Sequence, residues 1–328
     1  MKRAIILFVP LLSLIVIVAF LLWFKSVGSP VSSDNSLKDF LIVKGSSASQ
    51  VGNNLFEQGL IKNALAFKIY IQVTGKAKSI PAGEYRLSGS YSLFKLVDEL
   101  TKGPTEIWVT IPEGLRREEI ADKFATAFGK GEEFKQEFIE KSDGQEGYLF
   151  PDTYLFPKTA SASSVVAKMR STFDKKIADL QEKIDSGSLT LNQAVTLASI
   201  VERETKFADE RPIVAGILLN RLNIGMGLQA DATVQYAVAS KTCKTQSPCE
   251  WWPILTRDDL EIASSYNTYR FRGLPPGPIA SPGLSSIKAA VEPEASEYLY
   301  YLHDSKGQAH YAKTLEEHNE NVRKYLGK

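Results

Sequence analysis

A chain of 328 residues is long enough for two folded domains, or for one domain with an appendage. Hydrophobic residues at 44% and charged residues at 23% are ordinary globular values, which sets disorder aside. Lys and Arg number 39 against 38 Asp and Glu, a formal charge of +1. That lacks the basic footprint of a nucleic-acid binder, so no nucleic-acid partner is expected.

The N-terminus departs from this average. Ala4 to Phe24 contains no charged residue, and Lys2 and Arg3 precede it. At ~1.5 Å per helical residue the run matches the roughly 30 Å of hydrocarbon in a bilayer, so residues 1–25 are expected to form a cytoplasmic tip and transmembrane anchor. The competing reading is a cleaved signal peptide. It is disfavoured because the run exceeds the usual ~7–15 apolar residues and no A-x-A-like site follows. Lys2, Arg3 and the α-amine outweigh Lys25, so the positive-inside rule puts the body of the chain outside the cytoplasm. Ser26 to Ser36, small and polar (SVGSPVSSDNS), marks a linker over residues 26–37.

Phe40 to Leu60 reads as strand, glycine turn, helix, with Val51, Leu55 and Leu60 on the buried face. WVTIPEGLRREEIADKF repeats the pattern, with Gly114 in place of Gly45 and Ile120 and Phe124 in place of Val51 and Leu55. Between them, Ser92–Lys102 reads as a further helix. The strand–glycine–helix pattern resembles a LysM-like module, which would occupy residues 38–105. Ala162 to Ile184 reads as one long amphipathic helix with Val165, Met169, Phe173, Ile177, Leu180 and Ile184 on a single stripe. Cys243 and Cys249 sit in a polar loop where either a disulfide or two free thiols is compatible with the sequence. Two Cys without a neighbouring His do not make a zinc site.

Chemistry concentrates in LNQAVTLASIVERET, Leu191 to Thr205. Ala194 to Val201 is small or apolar almost throughout, so this helix is expected to be buried around most of its circumference. Glu202 and Glu204 follow. At ~100° per residue they point about 200° apart and cannot both face one cleft. A carboxylate at the end of an apolar helix loses hydration, and its pKa rises, which is what a general acid near neutral pH requires. An ion pair with Arg203 or Arg211 is the structural alternative. Downstream, GMGLQADATVQY puts Gln229 in a glycine turn, with Asp231 placed to cap the next helix. SYNTYRFRGLPPGPIASP brings Tyr266, Asn267, Thr268 and Tyr269 beside a stiff Pro/Gly loop. The aromatics of GYLFPDTYLFP suit either a sugar face or a hydrophobic core.

Taken in order, GYLFPDTY, ASIVERET, NRLNIGMGLQADATVQYA, YNTYRFRGLPPGPIASPG and HNENVRKYL resemble the endolytic murein transglycosylases, the YceG-like family, from about Phe40 to Lys328. The resemblance implies an α+β chain: an N-terminal transmembrane helix, a small LysM-like αβ domain, then a larger helix-rich catalytic domain with irregular loops over residues 106–328. It implies that Glu204 is the catalytic acid. Gln229, Tyr266, Asn267, Thr268, Tyr269 and Glu202 are the expected substrate-binding residues. The expected substrate is the peptidoglycan glycan strand, cut at the MurNAc–GlcNAc bond to leave 1,6-anhydro ends, with peptidoglycan synthases as partners and the inner membrane as the site of action. No cofactor and no metal are expected, since His303, His310 and His318 lack zinc-protease spacing. The rivals are a hydrolytic muramidase, with Asp152 or Asp231 as second carboxylate, and a non-enzymatic membrane-anchored peptidoglycan scaffold.

Overall fold

The computed structural model describes residues 2–243 and 249–327, with side chains from residue 15 onward. The chain is α+β and divides into two compact units, Met1–Trp108 with Leu155–Lys158 and Val109–Tyr154 with Thr159–Lys328.

The first unit contains α1 (Lys2–Val27), β1 (Lys38–Ile42), α2 (Ala48–Glu57), α3 (Ala64–Val73), β2 (Gly83–Leu87) and α4 (Leu93–Lys102). Its sheet follows the order β1-β2-β3-β4, where β3 is Glu106–Thr110 and β4 is Thr153–Pro157. β1 and β2 pair antiparallel with Phe40 opposite Tyr85, and the period-two alternation turns both rings into the core. α2 begins in a capping box between Ser47 and Gln50, which satisfies the amides its first turn leaves open. In α4, Leu93, Leu96, Val97 and Leu100 are buried at helical spacing behind the N-cap Ser92. Gly45 and Gly114, the two turn glycines of the repeated pattern, have φ of +89° and +77°, a region that only glycine enters without strain.

The expected transmembrane helix is not upheld. Among the described residues, no helix is long and apolar enough to cross a membrane. α1 ends at Val27. Its last turns are moreover committed to protein contacts. Trp23, Phe24 and Val27 pack against the core of the first unit, and the Phe24 ring lies 6.0 Å from that of Phe94.

The second unit is mainly helical. α5 (Arg117–Phe128) and α6 (Glu132–Lys141) precede α7 (Ala162–Ile177) and α8 (Gln181–Ser186). The stripe expected over Ala162–Ile184 is buried throughout, but it runs through two helices rather than one, because Ala178–Leu180 tightens into a 3₁₀ turn. α9 (Leu191–Glu204) starts at a Thr190–Gln193 capping box and is buried from Ala194 to Val201. α10 (Arg211–Asn223) and α12 (Leu284–Val291) lie against it, with α11 (Asp231–Thr242) nearby. Val195, Ile200, Val214, Leu218 and Ile287 join in one core. The unit is completed by a hairpin, β5 (Tyr300–His303) with β6 (Ala309–Ala312), and by α13 (Leu315–Asn321). Phe150, Tyr154 and Phe156 of the aromatic segment are buried, as core packing requires. Cys243 and Cys249 form a disulfide.

Candidate active site

The two glutamates of α9 diverge, as helical geometry dictates. Glu202 enters a closed network: Arg211 Nη2 donates to it at 2.7 Å, the Gly283 amide at 2.9 Å and the Ser286 hydroxyl at 2.7 Å. With its side chain 6% exposed and those donors in place, it latches α9 to α10 and to the start of α12. The ion pair anticipated for one glutamate is therefore Glu202–Arg211. Arg203 instead stacks on Trp252, its guanidinium carbon 3.7 Å from the ring centroid.

Glu204 ends the helix on the other side and faces a cavity of about 320 Å³, the lower end of the ~300–1,000 Å³ typical of ligand sites. Tyr301 Oη, from β5, donates to Glu204 Oε2 at 2.9 Å, and the Ala232 amide in the first turn of α11 donates to the same carboxylate. Burial nevertheless raises the Glu204 pKa, and the charge of Asp231 pushes it the same way. The group is thus biased toward its protonated form. Burial and Glu204 together hold the Tyr301 hydroxyl well above its usual range, so it remains a donor.

Asp231 is the first residue of α11, not its N-cap. Ala230 occupies the cap position, and no side chain caps that end. Freed from the expected capping role, Asp231 lines the cavity and accepts a 2.6 Å hydrogen bond from Tyr269 Oη. Burial first, then Asp231, raises the pKa of Tyr269. A second carboxylate therefore shares the cleft of Glu204.

Gln229 also lines the cavity, at φ +52°, the one non-glycine residue with positive φ among those described. Strain of about 1–3 kcal/mol persists at such a position only where its surroundings hold it. Thr268 is that surrounding. Its carbonyl accepts from the Gln229 amide at 3.3 Å, and its hydroxyl accepts from the Ala230 amide at 3.0 Å and lies 2.9 Å from the Thr233 hydroxyl. Asn267 is fully buried and donates to the Leu260 and Ile262 carbonyls.

Of the expected site residues, the fold brings Glu204, Gln229 and Tyr269 to one cavity. Asn267 and Thr268 lie behind it as backbone clamps, Tyr266 packs on Tyr236 with centroids 4.8 Å apart, and Glu202 is in the Arg211 latch. Asp152 pairs with Lys176 at 3.2 Å and does not line the cavity. Four wall residues had no sequence signal strong enough to single them out: Arg221, Tyr300, Tyr301 and Leu315. His318, which the sequence excludes only from zinc-protease spacing, is also in the wall. Among the described residues no cluster of His, Cys, Asp and Glu is arranged to hold a metal ion.

The sequence pattern of the YceG-like family matches residues 40–324. The chain belongs to the YceG-like family. It is 32% identical over 334 residues to the endolytic murein transglycosylase of Bacillus subtilis (strain 168), covering 93% of this chain and 89% of that protein. It is 31% identical over 323 residues to the protein of the same name from Streptococcus pneumoniae (serotype 2, strain D39), covering 87% of this chain but only 58% of that longer protein. The crystal structure of a YceG-like protein from Listeria monocytogenes superposes with a TM-score of 0.61 at 30% identity, covering 88% of this chain and 99% of that one. The Glu204 cavity lies wholly within the matched residues.

Proposed function

We propose that this YceG-like chain is a lytic transglycosylase of peptidoglycan, a carbon–oxygen lyase that cuts the MurNAc–GlcNAc bond within glycan strands and leaves 1,6-anhydro-muramic ends. The observation that carries the reading is Glu204 itself: one carboxyl, biased toward its protonated form by burial, at the wall of a sugar-sized cavity. The activity named for the Bacillus and Streptococcus relatives supports it.

Glu204 gives its proton to the oxygen leaving C1 of the muramic residue, and the C1–O bond breaks. The resulting carboxylate takes the proton of that sugar's own C6 hydroxyl, whose oxygen closes onto C1. Intramolecular attack supplies much of the rate through effective concentration. Tyr301 aims the carboxyl, and Asp231 supplies negative charge beside the oxocarbenium-like carbon. Gln229 and Tyr269 present polar groups to the sugar.

The substrate places the work on the extracytoplasmic side, in cell-wall assembly beside the peptidoglycan synthases that supply new strands. A Cys243–Cys249 disulfide suits an oxidising compartment.

Asp231 favours one second reading. Two carboxyls in one cavity are also the equipment of a hydrolytic muramidase. Digestion of glycan strands in heavy-oxygen water separates the two. Anhydro ends without label are expected, whereas labelled reducing ends would replace the lytic reading with hydrolysis.

A further inference from the structure

One wall of the cavity takes no part in the proton transfers assigned to Glu204. Arg221, on α10, is fastened at two corners: Nε donates to the Leu299 carbonyl at 2.6 Å and Nη1 to the Leu228 carbonyl at 2.7 Å. Among the described residues it has no carboxylate at ion-pair distance, and its Nη2 has no acceptor, although the side chain lines the cavity. The guanidinium carbon lies 5.3 Å from the Tyr300 ring centroid, and His318 stacks on the same ring at 5.2 Å. His318 lines the cavity too, and its Nδ1 is buried without a hydrogen-bond partner. Burial, with the charge of Arg221, holds the imidazole below its ordinary pKa, so it adds no competing cation.

A guanidinium held by neutral carbonyls keeps its full charge for an incoming acceptor, and its planar edge matches a carbonyl or carboxylate oxygen. A peptidoglycan strand alternates two sugars that both carry a 2-acetamido group. Only muramic acid adds a lactyl ether at O3, with a carboxyl oxygen at its end. A cavity blind to that group would accept two registers one sugar apart and cut two different bonds.

We propose that Arg221 and His318 form a subsite for the lactyl group of muramic acid, and that this subsite decides which of the two alternating bonds meets Glu204. The proposal rests on the transglycosylase reading and adds its register. Arg221 Nη2 donates to the lactyl carboxyl oxygen, and the neutral His318 Nδ1 supplies a second polar contact beside it. Tyr300 keeps the two side chains at a set separation. The contact needs the oxygen rather than a free charge, so strands whose lactyl group is amidated by a peptide also satisfy it.

The test begins with the unaltered protein and two probes: peptide-free glycan strands, and the same strands after chemical reduction of the lactyl carboxyl to an alcohol. Losing a hydrogen bond to a charged donor corresponds to a roughly ten- to hundredfold fall in kcat/KM on the reduced strands. Product analysis should also show ends on glucosamine as well as muramic residues. Arg221→Lys and His318→Phe should each narrow the gap between the two probes. His318→Phe keeps a ring on Tyr300, so it answers for the subsite even if the Arg221 variant fails to fold. Equal rates and one shared product register on both probes would overturn the subsite and leave the transglycosylase reading intact. Cleavage of neither strand by the unaltered protein would instead remove that reading, and the subsite with it.

Discussion

A carboxyl recessed as Glu204 is favours its neutral form, and glutamine imitates that form closely. Glu204→Gln should therefore fold normally and lose the ~10²–10⁴-fold or more that a general acid–base group contributes, measured as release of soluble fragments from sacculi. Its neighbours tune it in opposite directions. Asp231 raises the Glu204 pKa and the Tyr301 hydrogen bond lowers it. The protonated form is the one that starts the reaction, so the upper limb of the pH–rate profile follows that pKa. Asp231→Asn should move the limb to lower pH and Tyr301→Phe to higher pH; two shifts of the same sign would contradict the electrostatic account. Glu202→Gln should act on stability instead. It leaves the buried Arg211 guanidinium with only its longer pair to Glu113, at 3.3 Å, a loss of about 1–3 kcal/mol in denaturant unfolding. The divergence of these two glutamates was legible in the sequence, because helical pitch alone requires it. Tyr301 and Arg221 were not. Nothing local marks a tyrosine or an arginine as belonging to a cavity whose other walls lie far along the chain. Asn267 and Thr268 misled for the opposite reason. A run of polar residues beside a Pro/Gly loop resembles a ligand surface, whereas here the backbone takes up their hydrogen bonds.

At the level of elements, α9 is the frame and the segments around it are the walls. Its apolar run from Ala194 to Val201 announced burial directly, since a helix without a polar face has nowhere else to go. Ile200→Ala should cost ~2–5 kcal/mol while leaving activity per folded molecule nearly unchanged, because the cavity it opens is in the core and not at Glu204. Thr268→Val makes the converse case. It preserves volume but strands the Ala230 amide, and it loosens the turn that holds Gln229 at positive φ. Activity should fall by more than the loss of folded protein explains, compared by assay at equal folded fraction. The break between α7 and α8 was not legible. Neither Pro nor Gly lies between Ile177 and Gln181, and the buried stripe continues across it. The N-terminal run illustrates a different limit. Apolar composition from Ala4 to Phe24 suggested a lipid-facing span, but composition alone does not reveal that the last turns are occupied by a protein core.

For the whole molecule, buried carboxyls set the dependence of stability on pH. Glu146 is pushed up to about 8, first by burial and then by the charge of Glu118. One of its oxygens is buried without a partner. Because the native state binds the proton more tightly than the unfolded chain, the stability from neutral Glu146 is fully present below its unfolded pKa and lost as pH rises through about 8. Glu204, also raised, contributes with the same sign. Thermal melting should thus show its maximum on the acid side of neutrality and a falling Tm toward pH 9. Glu146→Gln should flatten that decline; an unchanged slope would mean that other groups cause it.

The order of the walls along the chain has a further consequence in time. Glu204 is made early in the second unit, but Tyr300, Tyr301, Leu315 and His318 come from β5 and α13, near the end of the described residues. While the chain is still being synthesised, the acid emerges without the hydroxyl that aims it and without the side chains that close its cleft. A nascent or prematurely terminated chain therefore carries a solvated, ordinary glutamate. The cavity is therefore complete only once the hairpin and the helix that follows it have been made.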